Sequence, residues 1–302
     1  MLVQTIWSDR GWAHAVDGAE SGRDAPALMV ASRGGSVAVG GSSPTAWLVL
    51  RGSAVLECRD GRFGLARGQW VVVDGDACPT LQTASDAMCV GVVLCRRTQP
   101  MADGALFPGL GEMAAGARVE ALRAWRRCAG FARNTPREQI VDRLRLEPLL
   151  RLLVAQQAGF RELVDRCPGR SLRRRRQVFA RMQRAWMHLA GNLDRPVRIS
   201  ELAALGSVSV WYFTKTFQAI HGEGPQAASS RMRLAQAARL LRGTRLSVGE
   251  AGEACGFENN CSFSRAFRAR FGMPPSRYRL AAAPHAAKRT GMRRQASAAS
   301  GP

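Results

Sequence analysis

Two short stretches carry polar side chains at a spacing suited to reading a hydrogen-bonding surface. Trp211, Thr214, Lys215 and Gln218 stand at i, i+3, i+4 and i+7, and Cys261, Ser264, Arg265 and Arg268 repeat the pattern fifty residues later. On a helix, each set lies along one side. Hydroxyl, amide, ammonium and guanidinium groups can hydrogen-bond base edges or phosphates, and Trp211 or Cys261 adds an apolar contact. A single stripe of this kind would be the solvated face of any amphipathic helix. The recurrence, each time after a glycine turn and in a basic part of the chain, points instead to two readers of a duplex.

The elements that must hold these stripes recur as well. Comparing residues 200–225 with 250–275 gives 7 identities in 26 pairs: Ala204/Ala254, Gly206/Gly256, Phe213/Phe263, Phe217/Phe267, Ala219/Ala269, Gly222/Gly272 and Pro225/Pro275. Thr214 with Ser264 and Lys215 with Arg265 are similar pairs. Each copy reads as a short helix (Ser200 to Leu205, Gly249 to Cys255), a turn holding Gly206 or Gly256, and a second helix capped near Ser209 or Asn259. The second helix ends before Gly222 or Gly272, with proline three residues beyond. Phe213 and Phe217, like Phe263 and Phe267, are four apart and should be buried, leaving the polar stripes outside. Helix, glycine turn and helix is a helix-turn-helix unit. Between the copies, Arg231 to Arg242, with Met232, Ala235, Leu240 and Leu241 as its apolar positions, reads as part of a connecting helix of ~16 residues, or ~24 Å. Such a strut could set both readers in successive major-groove segments ~34 Å apart.

Charge supports a polyanionic partner for this half alone. The net charge is +21; residues 1–130 hold 13 arginines against 12 acids, and residues 131–302 hold 31 basic residues against 11 acids. An arginine-rich genome would not produce that asymmetry. The eight cysteines, at 58, 78, 89, 95, 128, 167, 255 and 261, form no C-x-x-C pair, so neither a zinc ribbon nor a disulfide framework is expected. The N-terminus lacks a secretory pattern and no run is apolar enough to span a bilayer, so the expectation is a soluble cytoplasmic protein with no membrane partner.

The preceding residues read as two further parts. From Ala27 to Cys95 short β-rich runs (Val37–Val39, Trp47–Leu50, Ala54–Cys58, Gln69–Val73, Cys89–Leu94) are broken by Arg51-Gly52-Ser53, Arg59-Asp60-Gly61-Arg62 and Asp74-Gly75-Asp76, predicting an antiparallel sandwich or barrel. Residues 100–118 read as a closing loop. A helix is expected after Asn134-Thr135-Pro136, with Ile140, Leu144, Leu149, Leu150 and Leu153 on its apolar face, and another from its cap at Ser171, with Val178, Met182, Ala185, Trp186 and Leu189 on one side. Residues 136–190 fit a dimerisation element or a cover for the β domain equally well. Arg173 to Arg176 point all round their helix, mostly into solvent, and contact of one or two with phosphate stays open. Residues 281–302 read as a disordered basic tail. The expected organisation is a β-rich domain over 1–130, a helical linker over 131–195, an all-α reader domain over 196–280 and the tail: a multidomain α+β protein.

The C-terminal part resembles the AraC/XylS family of bacterial transcription regulators over about Pro196 to Leu280. The most specific stretch is GFENNCSFSRAFRARFGMPPSRYR, Gly256 to Arg279, and LAALGSVSVWYFTKTF from Leu202 fits the looser pattern of the first unit. The resemblance implies that Trp211, Thr214 and Lys215 face one DNA segment and Asn260, Cys261, Ser264 and Arg265 the next. Departures are Ala228-Ser229, where an aromatic and an apolar residue are usual, Ala251-Gly252 in place of Ile-Ala, and the weakly polar Cys261. The run WLVLRGSAVLECRDGRFGLARGQWVVV resembles the family's cupin-like sensor domain. Metal-binding cupins use several histidines, whereas His14 is the only one before residue 188, so no metal and no cofactor is expected. The expected protein is a regulator and not an enzyme. It binds double-stranded DNA, with a small effector, RNA polymerase and a second copy as open partners. The other classes weighed are a DNA-tethered repair enzyme with a reactive cysteine, which would need a missing cysteine cluster, and a nonspecific architectural binder.

Overall fold

A computed structural model describes residues 4–17, 27–41, 43–94, 106–130 and 143–282. The N-terminal strands are β1 (Gln4–Asp9), β2 (Ala13–Asp17), β3 (Ala27–Ser32), β4 (Ser36–Gly40), β5 (Thr45–Arg51), β6 (Ser53–Cys58), β7 (Gly61–Ala66), β8 (Gln69–Val73), β9 (Thr80–Thr83), β10 (Met88–Val93) and β11 (Gly109–Glu112). The helices are α1 (Ala115–Gly130), α2 (Arg143–Gln156), α3 (Phe160–Asp165), α4 (Leu172–Gly191), α5 (Ile199–Leu205), α6 (Val210–His221), α7 (Pro225–Gly243), α8 (Val248–Glu253), α9 (Asn260–Phe271) and α10 (Pro275–Ala282).

The strands form a six-stranded sheet in the order β1-β3-β10-β5-β8-β11 and a five-stranded sheet in the order β2-β4-β9-β6-β7. Met29, Trp47, Val49, Val71 and Cys89 of the first interdigitate with Val37, Leu56, Phe63, Leu65 and Leu81 of the second. The opposite face of the six-stranded sheet, through Leu28, Val30, Leu48, Trp70, Val72 and Val90, is covered by Ala121, Ala124, Trp125 and Cys128 of α1 and by Leu146, Leu149, Leu150 and Leu153 of α2. Burial on both faces explains why β3 is buried at every position, whereas β4 and β7, with one wet face, alternate. The leucine face of α2 therefore covers the β domain. Ile140 and the Asn134-Thr135-Pro136 start lie outside the described residues, as does the tail from 283 on.

Several expectations change. The sheets are antiparallel except where β1 pairs β3 and β2 pairs β4 in parallel, because β1 and β2, both ahead of the expected strands, run along the outer edges. The stretch 100–118 is not wholly a loop: it contains β11 and the start of α1. Its glycines hide a strand in which Gly111 lies under Trp70, where a Cβ would come within 2.8 Å of the indole. Pro225 and Pro275 do not merely follow a stop; they begin α7 and α10, since proline suits the first helical turn. The connecting helix thus has 19 residues, and its buried positions are Pro225, Ala228, Ser229, Met232, Leu234, Ala237, Ala238 and Leu241, with Leu240 half-buried and Ala235 exposed.

The described chain divides into two compact units. One comprises the residues up to Gly191 together with Ile199–Gly224; the other comprises Asn192–Arg198 and the residues from Pro225 on. The first helix-turn-helix unit accordingly falls in one compact unit with the β domain, packed against α3 and α4, and the second packs against α7.

Candidate nucleic-acid interface

In the first reader, α5 and α6 are joined by a turn in which Ser207 takes a positive φ of 50°. The Ser209 side chain accepts from the Tyr212 N–H at 3.3 Å, and Gly222, at φ 75°, donates to the Gln218 carbonyl at 2.9 Å. The two ends are thus closed by the capping groups that the residue types predict. Phe213, Phe217 and Ile220 are fully buried, which turns the other side of α6 outward. Trp211 is 70 % exposed, Lys215 and Gln218 are exposed and Thr214 is half-buried. The Lys215 ammonium lies 4.9 Å from the Trp211 ring centre, so cation–π attraction holds the two side chains over one surface. Thr214 donates its hydroxyl proton to the Val210 carbonyl at 2.9 Å, leaving its oxygen free to accept. From α4, His188 Nε2 lies 2.8 Å from Glu201 Oε1 and ties that helix to α5.

The second reader is closed in the same manner. Ser247 and Glu250 form a reciprocal capping box at the start of α8. Asn259 Oδ1 accepts from Ser262 N–H at 2.8 Å, and Gly272, at φ 74°, donates to Arg268 at 2.8 Å. Phe263 and Phe267 are buried with Leu234, Ala237, Leu241, Ala251 and Cys255. Outward stand Asn260, Cys261, Arg265 and Arg268, exposed, and Ser264, half-buried. All nine expected site residues are thus at the surface, four on α6 and five on α9.

Two glycines shape this unit. Gly256 has φ +71°, and a Cβ there would lie 2.6–2.8 Å from the backbone of Asp194 and Arg195. Gly252, a departure from the family pattern, faces the Phe263 ring, which a Cβ would approach to 3.0 Å; the missing methyl makes room for the aromatic. Ala228 and Ser229, the other departure, are both buried in α7.

Sequence reasoning missed a clamp on the second turn. Arg233 of α7 donates Nε–H to the Cys255 carbonyl at 2.6 Å and Nη2–H to the Gly256 carbonyl, while its guanidinium stacks 4.4 Å from the Phe257 ring centre. It thereby satisfies carbonyls left open where α8 ends. Arg279 likewise donates to the Leu246 carbonyl, and Arg242 stacks 4.6 Å from Tyr278. An arginine inside a helical pattern looks solvated in sequence, so no local signal marked these.

Four of the thiols offer little nucleophilic chemistry. Burial pushes Cys58, Cys167 and Cys255 up to about 11 and Cys89 to about 12, which disfavours the thiolate that attack requires. Among the described residues no group of three histidine, cysteine or carboxylate side chains is placed to hold a metal ion, and no helix is long and apolar enough to cross a membrane.

A family model described as a helix-turn-helix domain matches residues 202–281. The transcriptional regulator GbdR of Pseudomonas aeruginosa is 33 % identical over 87 residues, covering 29 % of this chain and 24 % of that protein. The regulator CdhR of the same species is 35 % identical over 111 residues, 37 % of this chain and 31 % of its own. A solved structure of a probable AraC family transcriptional regulator from Rhodopseudomonas palustris is 34 % identical and covers 34 % of this chain and 98 % of that chain, with a TM-score of 0.33. The chain thus spans about a quarter to a third of the curated relatives' length. The family match falls on the C-terminal helix-turn-helix segment, which is similar to that of AraC-family transcription regulators.

Proposed function

We propose that the protein is a sequence-specific transcription regulator that reads two adjacent major-groove segments, one with α6 and one with α9. The observation that carries this reading is the pair of capped helices whose buried phenylalanines turn the two polar stripes to the surface. Trp211, Thr214, Lys215 and Gln218 serve the first segment; Asn260, Cys261, Ser264, Arg265 and Arg268 serve the second. Direct readout needs fork-like or amide donors on a rigid helix, and Arg265 supplies the fork for a guanine edge. The relatives named as transcriptional regulators support the regulatory role. The N-terminal β domain is the part that a small effector would address.

Arg265→Ala tests the reading. Binding to the preferred duplex should weaken by about 1–3 kcal/mol, with relaxed preference at one base pair. An equal loss on every duplex would reassign Arg265 to phosphate contact.

A further inference from the structure

Between residues 166 and 184 the chain holds eight arginines and no carboxylate. Two have carboxylate partners: Arg175 pairs with Asp165 at 2.8 Å at the surface, and Arg184 with Asp60 at 3.4 Å and Asp76 at 2.9 Å. Arg170, Arg173, Arg174 and Arg181 are exposed, and among the described residues none of the four has a carboxylate partner. Solvation alone would account for such a run if it lay away from the interface. It does not.

The segment borders the first reader at both ends of α6. A Cβ built on Gly206, in the turn that leads into α6, would lie 3.9 Å from Arg181 Cβ. At the other end Arg166 Nη1 donates to the Ile220 carbonyl at 3.3 Å. Arg174 precedes Arg181 by seven residues, so both lie on one side of α4, roughly 10 Å apart along its axis, with exposed Gln177 between them. A polar, positively charged stripe therefore runs along α4 beside the helix-turn-helix turn, where a reader unit meets the sugar-phosphate backbone when its second helix enters the groove.

We propose that Arg174 and Arg181 of α4 bind DNA phosphates flanking the segment read by α6, extending the protein's footprint beyond its two recognition helices. The inference rests on the DNA-reading function above. The occupant is a phosphate backbone: the stripe offers charge without an apolar centre, and it continues the surface of the first reader.

The test is salt-dependent binding of the full chain to its preferred duplex and to an unrelated one. Each phosphate contact contributes about 0.9 to the slope of log affinity against log salt. R174A/R181A should therefore flatten that slope by roughly 1.8 on both duplexes and weaken binding at ~0.1 M salt by tens of fold, with base preference unchanged. R174K/R181K, which keeps the charge, should recover the slope. R62A, removing an exposed arginine of β7 paired with Glu57 of β6, should leave it unaltered. An unchanged slope in R174A/R181A overturns the proposal, as does a loss restricted to the preferred duplex. If the wild-type chain preferred no duplex, the two-reader function would fall, while the slope contributed by Arg174 and Arg181 would still be measurable on either DNA.

Discussion

Removing the Arg233 side chain should loosen the second reader without disturbing the first. Its guanidinium makes two charge-assisted hydrogen bonds to the carbonyls of Cys255 and Gly256 and stacks on Phe257. Bonds to charged groups contribute about 1.5–3 kcal/mol each and an exposed cation–π contact about 0.5–1. The sum is about 3.5–7 kcal/mol; Arg233 is half-buried, so water replaces part of the lost bonding, and a discounted figure of about 2–3 kcal/mol is the working value for Arg233→Ala. Hydrogen exchange resolved by segment is the appropriate assay, since opening of one unit need not unfold the other. Amides of α8 and α9 that exchange through opening of this unit should exchange roughly 30- to 150-fold faster, with α5 and α6 unchanged. Arg233→Lys keeps the charge but loses the fork, and should recover about half of the protection. Exchange in α8 and α9 within about threefold of wild type, or equal acceleration in α6, would refute the clamp.

Other consequences follow from single positions. Gly256→Ala forces a side chain into a positive φ and against the 194–195 backbone, and should destabilise the second unit by about 2–4 kcal/mol in chemical unfolding. Gly252→Ala, worth about 1 kcal/mol of stabilisation on helix propensity alone, should give none, because the Phe263 ring stands in the way; a gain near that figure would show the ring moves freely. Burial, reinforced by Asp76, raises Asp74 to about 6. An acid raised in the folded state favours folding only while protonated, so this contribution is present below about pH 4 and is lost as pH climbs through 6. Asp74→Asn should abolish that dependence and stabilise the protein above pH 6 by at most about 3 kcal/mol, read as melting temperature against pH; an unchanged profile would place the titration elsewhere.

What was legible in the chain depended on how local the cause was. Ser209, Asn259, Gly222 and Gly272 cap their helices within a turn of their own position, so residue type was enough to find them. The buried phenylalanines followed from helical spacing, and through them the outward stripes. Burial of β3 on both faces, by contrast, is set by α1 and α2, more than eighty residues away, and α1 itself was hidden in a segment whose Gly and Ala content reads as loop. The parallel edge pairings of β1 and β2 depend on partners no local pattern names. The same holds for charge: nothing near Arg184 in the sequence names its partner, yet it meets Asp60 across 124 residues, and Arg233 meets a turn 22 residues on. Arginine clusters are ambiguous in sequence because the fold decides which guanidiniums are neutralised and which stay outward.

Selection of preferred duplexes from a random pool with the full-length protein bears most directly on the two readers. Two readers in successive major-groove segments require a bipartite site whose two elements lie about 10–10.5 base pairs apart, with Lys215→Ala relaxing one element and Arg265→Ala relaxing the other. A pool that yields no preferred sequence, or a single element insensitive to one of the two substitutions, would contradict it.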